Sequence, residues 1–517
     1  MRRVRPVGFL RLWRRTHCFD LVDPRKSATI LWVTSQLGDQ TQATPPPLDL
    51  DKQTPASHLS TGLKPRHITM ISIAGVIGAG LFIGSSNAIK LAGPAVLISY
   101  ALAGMLVVLV MRMLGEMATA HPDTGSFSTY ADRALGRWAG FSIGWLYWWF
   151  WVIVIPVEAT AGAFIMNDWF PSVDKWVFAF AITALLMGTN LFSVANYGEF
   201  EFWFALIKVV AIVAFIVVGT LAIFGLLPGS KVSGIGYLVS EGGFMPNGFG
   251  AVIAAMLTTM FTFMGTEIVT IAAAESPNPE MGIRKAVNSV IWRISLFYLG
   301  SIFIVVSLVA WNSKDLTVTG SYQAVLDQIG LGRFSTLLAL VILTAVASCL
   351  NSALYTASRM AYSLSSRGDA PAAWSRTTSR GVPAWAIIAS TAVGFLGVIG
   401  NYLLPDKIFG YLLATSGAIA LFVYLVIALS QLRMRRELDA AGVKPAVRMW
   451  AFPALTWLTI AFISGVLLIM AILPNQRLEL LLSLALAAVT VGIGVKKHGV
   501  SRKGIFEPKG KSPLSTG

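Results

Sequence analysis

An all-α membrane protein of about twelve transmembrane helices, arranged as a five-plus-five inverted repeat with two extra C-terminal helices, is the fold class the sequence predicts. Three observations predict it. Charged residues make up 13% of the chain against 55% hydrophobic, where a soluble domain carries roughly 25% charged residues. Apolar runs close to the ~20 residues that cross a bilayer as a helix recur along the whole chain. Two of these runs, the first and the sixth, are interrupted in mid-span by small and polar residues.

The runs fall roughly at 69–90, 95–117, 139–166, 175–194, 202–225, 249–273, 290–311, 335–358, 384–403, 407–430, 450–472 and 478–495. Basic residues gather in alternate loops: Arg133 and Arg137, then Arg284 and Lys285, then Arg367, Arg376 and Arg380, then Arg433, Arg435 and Arg436. That alternation is the positive-inside pattern, and it predicts that both termini are cytoplasmic. The net charge of +15 therefore reports orientation in a lipid bilayer, and no nucleic-acid partner is expected. Cys18 and Cys349 lie far apart and the five histidines are scattered, so neither a metal site nor a disulfide framework is expected. Residues 1–62 are basic and then Pro-rich, which predicts a disordered extension. The transmembrane domain is expected over 63–496, with repeats at about 69–225 and 249–430, and 497–517 as a cytoplasmic tail.

The first interruption lies in "SIAGVIGAGLFIG", residues 72–84, and the second in "MLTTMFTFMGTEIVTIAAAESPNPE", residues 256–280. Glycine and threonine are poor helix formers, and a glutamate in hydrocarbon is costly. Where a spanning helix unwinds, its freed N–H and C=O groups find no partner in lipid, so the break must face protein or a polar cavity. The N–H groups that open the resumed half-helix, with its dipole behind them, can seat an anion. Gly78, Ala79 and Gly80 have almost no side chain, so a carboxylate could approach the backbone there. Close helix packing through the "GLFIG" small-xxx-small pattern is the competing explanation. Paired interruptions five spans apart are the plan of many secondary transporters, with the substrate at the midplane.

Three ionisable residues fall inside apolar runs. Lys208, in "FWFALIKVVAIVAFIVVG", is about 9 Å inside if its helix starts near Phe202. It could snorkel towards Glu199 or Glu201, or face the bundle interior and exchange a proton there. Glu158 follows Pro156 in the third span and either couples a proton or holds a broken helix. Glu267 either contacts a substrate or caps the sixth-span break. Ser348, Asn351 and Ser352 in the eighth span suit interhelical hydrogen bonds. The cluster "WLYWWFW" at 145–151 is too deep for a purely interfacial belt; part of it could line a cavity. No nucleophile–base pair, phosphate loop or cofactor motif is visible, so an enzyme is not expected.

The chain resembles the amino acid–polyamine–organocation superfamily, and within it the bacterial amino acid permeases. The stretches that carry the resemblance include "SIAGVIGAGLFIGSS", "PDTGSFSTYAD", "NYGEFEFWFALIKVVAI", "MGTEIVTIAAAES" and "SCLNSALYTASRMAYSLSSRGDAP", from about Gly62 to about Arg436. The resemblance implies that Gly78, Ala79 and Gly80 bind the substrate carboxylate through backbone N–H groups. It implies further that Phe261, Phe263 and Gly265, joined by Glu267 and Ser352, receive the amine and the aliphatic part. Lys208 would couple a proton, its neighbours being the backbone of the first helix and Ser348 or Ser352 of the eighth; Glu158 is a further proton-coupling candidate. The implied activity is import of 4-aminobutyrate or a related amino acid across the bacterial plasma membrane by proton symport. Exchange of amino acids, an α-amino acid substrate such as an aromatic one, and a non-transporting sensor are the alternatives.

Overall fold

The computed structural model describes residues 63–74, 77–192, 194–276, 278–403 and 408–500; the expectations for 1–62 and for most of the C-terminal tail lie outside the described residues. Among the described residues every regular element is helical. In chain order the helices are α1 (Pro65–Ala74), α2 (Ser85–Ala92), α3 (Val96–Ala120), α4 (Ser126–Leu135), α5 (Arg137–Trp169), α6 (Lys175–Phe192), α7 (Val194–Ile223), α8 (Gly248–Phe263) and α9 (Ile268–Ala274). They continue as α10 (Pro279–Arg293), α11 (Ser301–Leu308), α12 (Asp315–Val318), α13 (Ser321–Gln328), α14 (Ser335–Ser366), α15 (Ala384–Leu403), α16 (Ile408–Ala440), α17 (Ala454–Ile472) and α18 (Pro474–His498).

Ten stretches of the described residues are long and apolar enough to cross a membrane. One of them, Gly80–Ala120, joins the resumed half of the first span to the second, and Ala384–Gly400 is a shorter apolar helix. The twelve runs of the sequence are thereby accounted for. The first span is α1 followed, after the break, by a π-helical turn (Gly80–Gly84) and α2. The sixth is α8 followed by α9. The seventh runs through α10, a π-helical stretch (Ile294–Gly300) and α11.

Apolar runs understate where some helices begin. The seventh-span helix starts at Pro279, with Asn278 as N-cap accepting a hydrogen bond from the Met281 amide at 3.3 Å; Pro at the first helical position needs no partner for its missing N–H. More consequentially, α7 starts at Val194 rather than near Phe202. The polar "NYGEFE" conceals a helical start that tertiary packing against α1 supports. Fourteen residues at ~1.5 Å each place Lys208 about 21 Å from that start, not 9 Å.

Helix α5 organises the bundle. Its sequence is apolar on all sides, the pattern of a helix enclosed by others, and it packs against α4, α6, α14, α15, α16 and α18. Helices α17 and α18 instead expose Leu468, Ile472, Leu478 and Leu481, a surface suited to lipid.

Beyond the second break, the end of α9 is locked to α14 by a buried ion pair. Arg359 Nε donates to Glu275 Oε1 at 3.0 Å, the guanidinium lies 4.1 Å from the Tyr355 ring centroid, and Tyr355 stacks on Tyr197 of α7 at 4.1 Å. Arg359 is 1% exposed. Removing one partner of such a pair strands a buried charge, at a cost of about 3–5 kcal/mol. Arg359→Ala is expected to lower the melting temperature of the detergent-purified protein markedly. The double change Arg359→Met with Glu275→Leu should lose far less, and equal losses would argue that the charge pairing is not what holds this end.

Candidate functional site

The two interruptions meet. Helix α8 ends at Phe263; Met264 is extended (φ −61°, ψ 141°), and Gly265 has φ +100°, a conformation that glycine adopts without strain. The hydroxyl of Thr262 donates to the Gly80 carbonyl at 3.3 Å, tying the end of α8 to the resumed half of the first span. Between the breaks lies a cavity of about 10 Å³, room for roughly one water molecule. Gly78, Gly80, Glu158, Phe261, Thr262 and Cys349 are among the residues on its wall, and the rings of Phe150 and Trp151 line it from α5.

Each break is closed by a carboxylate. At the first, both oxygens of Glu158 accept from the Ala79 amide, at 3.1 and 3.3 Å. At the second, both oxygens of Glu267 accept from the Gly265 amide at 3.1 Å, and the Tyr147 hydroxyl donates to Glu267 at 3.0 Å. Glu267 therefore turns back on its own break, at the N-terminus of α9, where the helix dipole favours a negative charge. Of the two explanations for this residue, the capping one matches the geometry.

Lys208 answers the opposite need at the first break. Its ammonium donates to the Ile77 carbonyl at 2.8 Å, and the residue is 0% exposed. Snorkelling to the interface is thereby excluded. Glu199, one of its suggested interfacial partners, lies at the rim and pairs with Arg66 at 2.6 Å. Glu201, the other, is buried and accepts from the Ser348 hydroxyl at 2.5 Å. Glu201 and Lys208 are seven residues apart, two turns on one helical face.

The remaining residues singled out by the sequence fall around this centre. The Ala79 side chain packs on Ala161 and Val346, while its amide is held by Glu158. Phe261 lines the cavity, whereas Phe263 packs on Tyr100 and Tyr298 with ring centroids 5.9 and 4.7 Å away. Gly265 shapes the turn without lining the cavity. Ser352 pairs with the Tyr197 hydroxyl at 3.3 Å, and Asn351 accepts from Asn190 of α6 at 2.7 Å. Cys349 and Thr262 are site neighbours that residue-by-residue reading did not single out, and Glu201 was considered only as an interfacial partner of Lys208. The seven-residue spacing of Glu201 to Lys208 is the signal that would have placed both on the buried face. Among the described residues no His/Cys/Asp/Glu group could hold a metal ion. The arrangement brings the ends of two interrupted helices, each closed by a carboxylate, to the wall of one small cavity.

Residues 67–501 match the amino acid permease family. The chain is 62% identical over 438 residues to a probable GABA permease of Pseudomonas aeruginosa, covering 84% of this chain and 92% of that protein. It is 60% identical over 423 residues to the gamma-aminobutyric acid permease of Escherichia coli (82% and 91%). With the gamma-aminobutyric acid permease of Bacillus subtilis it shares 50% over 455 residues (87% and 97%).

A methyl group at Gly78 would stand 2.6 Å from Glu158 Oε1 and 2.6 Å from Cys349 Cβ, whereas one at Gly188 in α6 would meet nothing within 4 Å. Overpacking of this kind costs about 1–3 kcal/mol. Gly78→Ala should therefore lower the melting temperature, and Gly188→Ala should leave it unchanged or raise it. A melting temperature unaffected by Gly78→Ala would mean that the break is looser than described.

Proposed function

Because the chain belongs to the amino acid permease family, we propose that it imports 4-aminobutyrate or a related ω-amino acid across the plasma membrane by proton symport. It is a membrane permease and not an enzyme. The observation that carries the finer reading is the Lys208 ammonium on the Ile77 carbonyl, beside a break whose Ala79 amide is engaged by a carboxylate. The names of the three relatives support the substrate class.

In the proposed cycle the substrate carboxylate takes over the Ala79 amide. Glu158 must then give up that hydrogen bond, and a displaced carboxylate in an apolar surrounding is stabilised by accepting a proton. Lys208, on the Ile77 carbonyl at the same break, senses that change through its charge. The substrate amine sits towards Phe261 and the carbonyl groups freed at the second break. A cavity of about 10 Å³ admits no amino acid as it stands, so entry requires the half-helices or the rings of Phe150, Trp151 and Phe261 to move. Both termini are cytoplasmic in this reading. The convergence of Arg137, Arg367 and Lys497 at one end of the bundle, around Asp369 and the Arg367 and Gly368 carbonyls, supports it.

The direct test is uptake of labelled 4-aminobutyrate by proteoliposomes with and without an inward proton gradient. Accumulation is expected only with the gradient; gradient-independent counterflow alone would favour an exchanger. Lys208→Ala is expected to abolish accumulation while retaining exchange of substrate across the membrane. A Lys208→Ala protein that still concentrates substrate against its gradient would overturn the coupling role.

A further inference from the structure

A second cavity lies on the other side of α5, where α18 crosses it. It measures about 340 Å³ and is lined almost wholly by apolar atoms, among them Phe141, Trp145, Trp148 and Trp149 of α5 and Leu486 and Ile493 of α18. It opens to the outside of the bundle, since Trp149 is 36% and Ile493 51% exposed. The indole N–H groups of Trp145 and Trp148 are satisfied within the protein, by the Asp369 carbonyl at 3.2 Å and the Ser390 hydroxyl at 3.0 Å. Ring surface is what these two offer to an occupant. From Phe141 to Trp149 the groove follows α5 for eight residues, about 12 Å.

The mouth of this groove is basic. The Lys497 ammonium lies 5.6 Å from the Phe141 ring centroid, Lys496 beside it is exposed, and Arg137 stands one turn before Phe141 on α5. Asp369 is the acidic group at this rim, 2.7 Å from His498, 3.4 Å from Lys497 and 3.8 Å from Arg137. Three permanent cations against one carboxylate leave an excess of positive charge where the groove meets the interface. An apolar channel that ends at a rim of net positive charge matches an amphiphile with an alkyl chain and an anionic head. Basic pockets between spanning helices select anionic lipid headgroups by this means.

We propose that the groove between α5 and α18 is a binding site for an anionic phospholipid, its alkyl chain laid on the tryptophans and its phosphate at Lys496, Lys497 and Arg137. Bulk lipid tails would wet any apolar groove, so headgroup preference is the property that distinguishes a site.

The test is native mass spectrometry of the full chain, purified in mild detergent and titrated with phosphatidylglycerol or phosphatidylethanolamine of identical chains. Retention of phosphatidylglycerol is expected to exceed that of phosphatidylethanolamine by about tenfold or more, as two or three interfacial cations allow. The Lys496→Gln, Lys497→Gln double variant should lose most of that preference, and Ile493→Trp, which fills the groove, should reduce retention of both lipids. Equal retention of the two lipids by the wild-type chain would overturn the proposal, as would an undiminished preference in the double variant. Displacement of phosphatidylglycerol by glycerol phosphate alone, at equal concentration, would overturn the part assigned to the alkyl chain.

Discussion

Backbone hydrogen bonding in an apolar surrounding is the constraint on which the rest of this structure depends. Two spanning helices are unwound near mid-span, and every N–H and C=O freed there needs a partner that lipid does not supply. The fold meets that need with charged side chains brought from elsewhere: Glu158 for the Ala79 amide, Lys208 for the Ile77 carbonyl, Glu267 for the Gly265 amide. The costly intramembrane charges and the costly breaks compensate one another. This explains why so apolar a chain carries ionisable groups at its centre and why they lie beside the cavity.

How much of this was legible in the sequence follows from the range over which each signal acts. The breaks were legible, because Gly78 and Gly80 or Gly265 and Thr266 depart from helix-forming composition within a few residues. The partner of each break was not, because Glu158 reaches Ala79 across 79 positions of sequence and no local pattern encodes that reach. Neighbouring residues also diverge in direction by about 100° on a helix. Phe261 and Thr262 consequently line the cavity while Phe263, equally plausible on paper, is turned to Tyr100 and Tyr298. The start of α7 was misjudged for a different reason. An apolar run marks the lipid-crossing part of a helix, and α7 extends eight residues before it.

The same reasoning accounts for the aromatic cluster at 145–151. On a helix with neighbours on most sides, successive large rings must serve different neighbours. Tyr147 serves the second break and Phe150 and Trp151 the central cavity, while Trp145, Trp148 and Trp149 face the groove beside α18. A single dense motif thus reads as one feature in the sequence and as three in space.

Helix α5 holds one break through Tyr147 and the other through Glu158, eleven residues apart along a single axis. Some 16 Å of continuous helix therefore acts as a strut between the two half-helix junctions. A loop in that place would let the junctions drift independently, whereas a strut makes their spacing a property of one helical rod. On the proposed reading, the span between a substrate's two charged ends is gauged by this rod. Selectivity for chain length then belongs as much to the course of α5, which carries Pro156 between the two contacts, as to any side chain that touches the substrate.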